Sequence, residues 1–243
     1  VSTYSKSGCG RLLQVSPPTP QPTIRGTAVS KVAVLASGGL DSAIMLVELA
    51  KNSLVYPIYV EAGLVWEESE KRSLDSFLAA VDDPNIQPVT HLSVPVGPIL
   101  DSHWSVTGDQ VPDGEAPDED MFVPGRNILL FSLAAVWCST HDVSRIAIGS
   151  LGGNPFPDAT PDFFTSFGAS LSAGLAHEVK IEAPFRNHKK SELIREYSDL
   201  PIELSLTCAQ PTGSSHCGNC NKCTERRQAF TEAGVEDRTK YLV

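Results

Sequence analysis

The stretch Ala36-Ser37-Gly38-Gly39-Leu40-Asp41-Ser42 constrains this chain more than any other. The apolar run Lys31-Val32-Ala33-Val34-Leu35-Ala36 leads into it. A helical pattern leaves it, with Ala43, Ile44, Leu46, Val47 and Ala50 at three- and four-residue spacing. A strand, a tight glycine turn and a helix start together make an anion site. The first N–H groups of a helix have no partner, and the dipole favours negative charge there. Gly38 and Gly39 carry no Cβ, so the backbone can curl and press close to a phosphate. Ser37 and Ser42 add hydroxyl donors. Asp41 fits beside a phosphate only with a cation between them, which marks it as a Mg²⁺-linked candidate. The competing reading is a surface turn with an Asp or Ser helix cap. The flanking strand and helix favour the phosphate loop. Neither the lysine-bearing P-loop nor the GxGxxG dinucleotide spacing is present.

With 243 residues, 41% of them hydrophobic, the chain can build one large domain with a small attachment. A net charge of −10 disfavours non-specific nucleic-acid or anionic-membrane binding, so neither partner is expected. No apolar run approaches a membrane span and no signal peptide is visible, so the expected location is cytoplasmic. Four of the six cysteines, Cys208, Cys217, Cys220 and Cys223, crowd into the tail, while Cys9 and Cys138 stand apart. A secreted disulfide framework would spread its cysteines through a smaller chain. This clustering reads as a metal site in a reducing compartment.

Residues 1–30 have no convincing period. Pro17-Pro18-Thr19-Pro20-Gln21-Pro22 excludes helix and central strand there, so the segment reads as an extension with Cys9 an incidental thiol. After the first unit, Leu54 to Val60 reads as a buried strand, although Pro57 argues against a fully hydrogen-bonded central position. Glu67 to Ala80 reads as an amphipathic helix and Val89 to Val94 as a third strand. Pro95 to Phe122 is long, poorly patterned and acidic, and reads as a mobile lid or disordered loop. Arg126-Asn127 then open an apolar helix. An Arg at a helix start conflicts with the dipole unless an anion is held there. Arg145 to Gly149 is the next strand. The Gly/Pro-rich loop after it carries Phe156, suited to stacking on a flat heterocycle. It also carries Asp158 and Asp162, either of which can accept paired N–H donors; Asp162 also reads as the cap of a helix from Phe163. Lys180 to Ala183 is a short strand, and Lys189 or Lys190 opens a helix facing either solvent or nucleotide phosphate. Strands alternating with helices predict an α/β fold, a Rossmann-like parallel sheet with helices on both faces. Ligands then sit at the carboxyl ends of the strands.

Cys217-Gly218-Asn219-Cys220-Asn221-Lys222-Cys223 places three thiolates on a tight loop entering a helix, with Cys208 close enough to fold back as a fourth. Four thiolates fit Zn²⁺; an iron–sulfur cluster is the alternative for CxxCxxC. A closed four-cysteine shell favours a structural zinc. His216 is a spare.

SGGLDS resembles the PP-loop of the ATP pyrophosphatases, which split ATP into AMP and pyrophosphate. Phe122-Val123-Pro124-Gly125-Arg126-Asn127 resembles a signature of the QueC family of 7-cyano-7-deazaguanine synthases, which belongs to that group. Phe156-Pro157-Asp158 is similar to the family's Y-P-D. The tail, a Cys followed by CxxCxxC and an Arg-containing helix at Arg226-Arg227, is similar to the family's tail. The four motifs run in order from about Lys31 to Phe230. The resemblance implies a homodimer that adenylates 7-carboxy-7-deazaguanine with ATP and Mg²⁺ and converts it with ammonia to the nitrile. It implies ATP on Ala36, Ser37, Gly38, Gly39, Leu40, Asp41 and Ser42. Ser37, Asp41 and Arg126 would be catalytic, Phe156, Asp158 and Arg126 would bind the acid, and Cys208, Cys217, Cys220 and Cys223 would hold zinc. The implied division is 1–30 extension, 31–206 ATP-binding domain and 207–243 zinc tail. Two stretches depart from the pattern. Glu61-Ala62-Gly63-Leu64-Val65-Trp66-Glu67 stands where the family has Gln-Arg-His, and Ala159-Thr160 where it has Cys-Arg. A family-like enzyme with a different acceptor, another small acid or a protein, is therefore the rival reading. A non-catalytic nucleotide-binding zinc protein is the other, and the intact Ser37 and Asp41 argue against it.

Overall fold

Val32, Ala33, Val34 and Leu35 carry no polar side-chain atom, and all four are buried, as a strand covered on both faces requires. The computed structural model describes residues 29–243, so the readings of Cys9 and the proline-rich stretch lie outside the described residues. The apolar run forms β1 (Ser30–Leu35), followed by α1 (Leu40–Ala50), β2 (Ser53–Glu61), α2 (Glu67–Val81) and β3 (Thr90–Ser93). Two single-turn helices, α3 (Gly97–Leu100) and α4 (Trp104–Thr107), precede α5 (Arg126–His141) and β4 (Arg145–Ala147). The chain then runs through α6 (Pro161–Leu175), β5 (Lys180–Glu182), α7 (Lys190–Glu196) and α8 (Asn221–Ala233).

The five strands form one parallel sheet in the order β3-β2-β1-β4-β5. Helices cover both faces, as the alternation predicts. On one side Ile44 and Leu46 of α1, Leu74 of α2, Leu193 of α7 and Phe230 of α8 share a core with Val32 and Val34. On the other, Phe131 and Ala134 of α5 and Phe164 of α6 pack on Ala33 and Ile146. Each fully buried Leu or Phe contributes about 1.5–3 kcal/mol. Cys138 lies in this second core, and burial pushes its thiol up to about 12, so it is inert packing. The strand order reverses between β1 and β4, and a crevice opens at that switch outside the carboxyl ends of the strands. Among the described residues, no helix is long and apolar enough to cross a membrane.

Three sequence expectations change. First, β2 is an interior strand despite Pro57. Val55 and Glu61 bond toward the β3 side, so by alternation Pro57 faces that side too. The β2–β3 ladder starts only at Ile58↔Thr90, and Pro57 falls in the gap after the isolated Val55↔Ile86 bridge, where no N–H is required. Second, the segment between β3 and α5 is folded rather than a loose lid. Besides α3 and α4 it holds a 3-10 turn at Asp118–Met121, and it is fastened to the tail. Asn221 donates its N–H to Pro112 O and its Nδ2 to Ala116 O at 2.8 Å and to Asp118 Oδ1 at 3.1 Å. Third, α6 is capped by Thr160, whose Oγ1 accepts from Phe163 N at 3.2 Å, and Asp162 sits inside the first turn.

Candidate functional site

Gly38 has φ +72°, and a Cβ there would strike the backbone carbonyl of Glu70 on α2, so only glycine lets the turn seat against that helix. Gly38 O also accepts Leu206 N at 2.8 Å, which ties the turn to the chain just before the cysteine tail. Ser37 and Ser42 hold the turn from within. Ser42 Oγ donates to Gly39 O at 2.9 Å, and Ser37 Oγ accepts from Gly39 N at 3.3 Å. No side chain caps α1, so the helix-cap reading of Asp41 and the serines does not apply. Gly149, after β4, packs against the same turn; a Cβ there would lie 3.1 Å from Ser42 N. Loops after β1 and β4 thus meet at the switch point. They border a cavity of about 380 Å³ lined by Ala36, Ser37, Gly39, Leu40, Asp41 and Ser42. Gly38 shapes the turn from behind.

A row of alternating charges crosses this end of the cavity. Asp41 Oδ2 lies 3.6 Å from Lys190 Nζ, and Lys190 Nζ lies 2.6 Å from Glu225 Oε1. Glu225 Oε2 takes Lys222 Nζ at 2.9 Å, and Lys222 stands 3.9 Å from Asp118 Oδ1. Burial works against ionisation of Glu225, yet the two lysines pull its carboxyl down to about 2. Burial raises the Asp41 carboxyl above its ordinary value, opposed by Lys190. Among the described residues, Asp41 Oδ1 is buried with no hydrogen-bond partner. An orphaned carboxylate oxygen beside a glycine turn at a helix start fits a hard cation such as Mg²⁺, which takes oxygen ligands.

The other end is aromatic and acidic. Phe156 and Phe122 pack with ring centroids 5.4 Å apart, and Trp66 and Trp104 with 5.5 Å; all four line the cavity with Arg126 and Asp158. Asp158 is buried and caps α5: its Oδ2 accepts Asn127 N at 3.2 Å and its Oδ1 accepts Asn127 Nδ2 at 3.2 Å. This carboxylate is the anion that resolves the conflict of Arg126 at a helix start. Burial raises the Asp158 carboxyl, offset by the bonds from Asn127.

Sequence reasoning missed Glu70 and Tyr59, which also line the cavity. Tyr59 Oη donates to Glu70 Oε2 at 2.9 Å. Burial pushes the Glu70 carboxyl up to about 7, against the pull of Arg126. Glu67, one turn earlier, spends its carboxylate on Ala62 N and Gly63 N at 2.7 and 3.0 Å and fixes the departure of α2 from β2. Within an amphipathic helix such glutamates look like solvated surface; only the strand-end position of the segment pointed to the site.

In the tail, one sulfur from each of Cys208, Cys217, Cys220 and Cys223 lies within 4.8 Å of the others. Cys208 Sγ accepts Cys217 N at 3.3 Å and Gln210 N at 3.4 Å, bonds that favour a thiolate. His216 is not in the cluster; its Nε2 accepts Thr207 N at 2.9 Å, and burial holds the ring neutral, down to about 4. The four-sulfur set fits a tetrahedral zinc with no open position. Arg226 anchors the following helix from complete burial. It donates to Thr239 Oγ1, Ser205 Oγ, Thr207 Oγ1 and Ile202 O at 2.8–3.1 Å.

Comparison with known proteins places the chain by its sequence. The family model described as "Queuosine biosynthesis protein QueC" matches residues 31–234. A 7-cyano-7-deazaguanine synthase of Methanocaldococcus jannaschii is 30% identical over 233 residues, covering 87% of this chain and 99% of its own. One from Methanococcus maripaludis is 30% identical, with 88% and 99% covered. One from Acetivibrio thermocellus is 30% identical, with 87% and 98% covered. Over residues 31–234, from the glycine turn to the four-cysteine tail, the chain belongs to the QueC family of enzymes.

Proposed function

We propose that this enzyme is a ligase of the 7-cyano-7-deazaguanine synthase type, using ATP to convert the carboxylate of a 7-deazapurine-like acid, with ammonia, to the amide and then the nitrile. The observation that carries this reading is the meeting of the Ser37–Ser42 turn, the orphaned Asp41 oxygen and the Arg126–Asp158 corner in one cavity. The turn and its serines hold the phosphates, and Asp41 would hold a Mg²⁺ that would supply charge neutralisation there. An oxygen of the acid attacks the α-phosphorus, the Pα–O bond to the leaving group breaks, and pyrophosphate departs. Ammonia then displaces AMP, giving the amide. A second ATP adenylates the amide oxygen with departure of pyrophosphate, and loss of AMP and a proton from that adduct leaves the nitrile. Phe156 and Phe122 offer faces to a flat ring, and Arg126 orients its carboxylate. Asp158 holds the N-terminus of α5, and each of its oxygens keeps a lone pair for an N–H of the ring. The chemistry is accelerated by positioning and by fixed charges. The zinc cluster is structural, the enzyme works as a homodimer, and residues 31–206 and 207–243 act as ATP-binding domain and zinc tail.

A family-like enzyme with another acceptor is the second reading. It is favoured by Trp66, Trp104, Tyr59 and Glu70, which wall the cavity beside the departing Glu61–Glu67 stretch. Mass analysis of turnover with ATP, ammonia and 7-carboxy-7-deazaguanine tests both. AMP, pyrophosphate and a nitrile support the first. AMP formed only with other acids selects the second, and ADP as the main product sinks adenylation.

A further inference from the structure

Lys222 and Glu225 lie in the tail, outside the residues that define the phosphate turn, yet both line the cavity with Lys190. The two oxygens of Glu225 are divided, one to each lysine, at 2.6 and 2.9 Å. The carboxylate therefore acts as a fork that sets two ammonium groups side by side. Lys190 is nearly buried, with 10% of its side chain exposed, and Lys222 shows 26%. An ammonium has three donors. Lys222 spends one on Glu225, and its approach to Asp118 at 3.9 Å is too long for a hydrogen bond, so among the described residues two donors have no partner. Lys190 touches Asp41 only at 3.6 Å, which leaves it able to turn a proton toward a closer anion. Paired cations around one half-buried carboxylate, facing a glycine turn at a helix start, are the arrangement a polyphosphate requires.

We propose that the cysteine tail supplies the second wall of the pyrophosphate seat, with Lys222 and Lys190, held in place by Glu225, binding the β- and γ-phosphates opposite the Ser37–Ser42 turn. The proposal rests on the adenylating reading above. As the Pα–O bond breaks, its electron pair leaves with the bridging oxygen on the pyrophosphate, and the two ammonium groups neutralise that charge. Lys222 is a binding residue in this scheme and Glu225 a positioning residue. The tail then has a direct part in ATP use, beyond holding its own shape.

Calorimetric titration of the full, zinc-loaded chain with Mg²⁺-pyrophosphate, and separately with AMP, tests this without any acceptor acid. Lys222→Ala should weaken pyrophosphate about 10- to 100-fold, the size of a lost charge-assisted bond, and leave AMP within about twofold. Lys222→Arg should recover most of the loss. Glu225→Gln should weaken pyrophosphate with AMP again unchanged, because both lysines lose their fixed positions. Zinc content and melting temperature of each variant separate a damaged fold from a lost contact. Unchanged pyrophosphate affinity in Lys222→Ala, or equal loss for pyrophosphate and AMP, overturns the seat and leaves the synthase reading standing. Intact, Lys222-dependent pyrophosphate binding without nitrile formation supports the seat and removes the synthase reading instead.

Discussion

Single side chains at this site are defined by what they leave unsatisfied. Asp41 keeps one buried oxygen without a partner while the other faces Lys190. Asp41→Asn should lower turnover by at least about 100-fold at saturating Mg²⁺, with the melting temperature nearly unchanged, since a metal ligand contributes several kcal/mol to the transition state. An unaffected rate would reduce Asp41 to a neighbour of Lys190. Asp158 is different, because its oxygens already hold the first turn of α5. Asp158→Ala should destabilise the fold by about 1–3 kcal/mol and weaken the acid far more than ATP; equal loss of both ligands removes it from the acid site. Glu70 contributes a pH dependence of stability. Its carboxyl is raised by burial to about 7 from an ordinary 4.5. A raised carboxyl favours the folded state while protonated, so this contribution is complete below about 4.5 and is lost as pH rises through 7. Glu70→Gln should therefore gain stability on the wild type by about 2–3 kcal/mol at pH 8 and nearly nothing at pH 4. Chemical denaturation at the two pH values reads it, and equal midpoint shifts at both would refute the burial argument.

At the scale of elements, what was legible in the sequence is what a short local pattern encodes. The apolar run, glycine turn and helix around Ser37–Ser42, the strand alternation and the cysteine spacing all appear in the structure because neighbours along the chain determine them. Elements whose order comes from distant partners were not legible. The stretch from Pro112 to Asp118 looked like a loose acidic loop because its fixing residue, Asn221, lies about a hundred positions away. No local pattern marks Lys222 or Glu225 either, because Asp118 and Lys190, which they face, are remote in sequence. Arg226 is the clearest case: an arginine in a polar helix, yet fully buried and bonded to four oxygens from the segments on either side of the cysteines. Its planar fork serves acceptors that an ammonium cannot reach together. Arg226→Lys should leave buried oxygens unpaired and cost about 3 kcal/mol or more, visible as a lower urea midpoint with α8 loosened first. A variant as stable as the wild type would show that these oxygens find other partners.

For the molecule as a whole, the cysteine cluster is the point where distant parts of the cavity wall are joined. Leu206, two residues before Cys208, bonds the Ser37–Ser42 turn through Gly38 O. Asn221, between Cys220 and Cys223, holds the Pro112–Asp118 segment, and Asp113 bridges to Cys220 itself. That segment leads into Met121, Phe122 and Val123, which line the cavity. The loop between the first and second cysteines, Pro211-Thr212-Gly213-Ser214-Ser215, offers no core residue, so burial alone cannot fix its shape; a metal held by the four thiolates would supply that energy locally. The sheet has its own two cores and does not need the metal. Removing zinc with a chelator should therefore expose residues 207–223 and 110–121 to hydrogen exchange together, while β1 and β2 stay protected. ATP affinity should fall with the same chelator dependence, since both the turn's anchor and one wall are released. Elemental analysis with no zinc, or an absorbing iron–sulfur chromophore, would refute the metal. Protection of 110–121 that survives zinc loss would show that the wall stands without the cluster and that the tail serves the cavity only through its side chains.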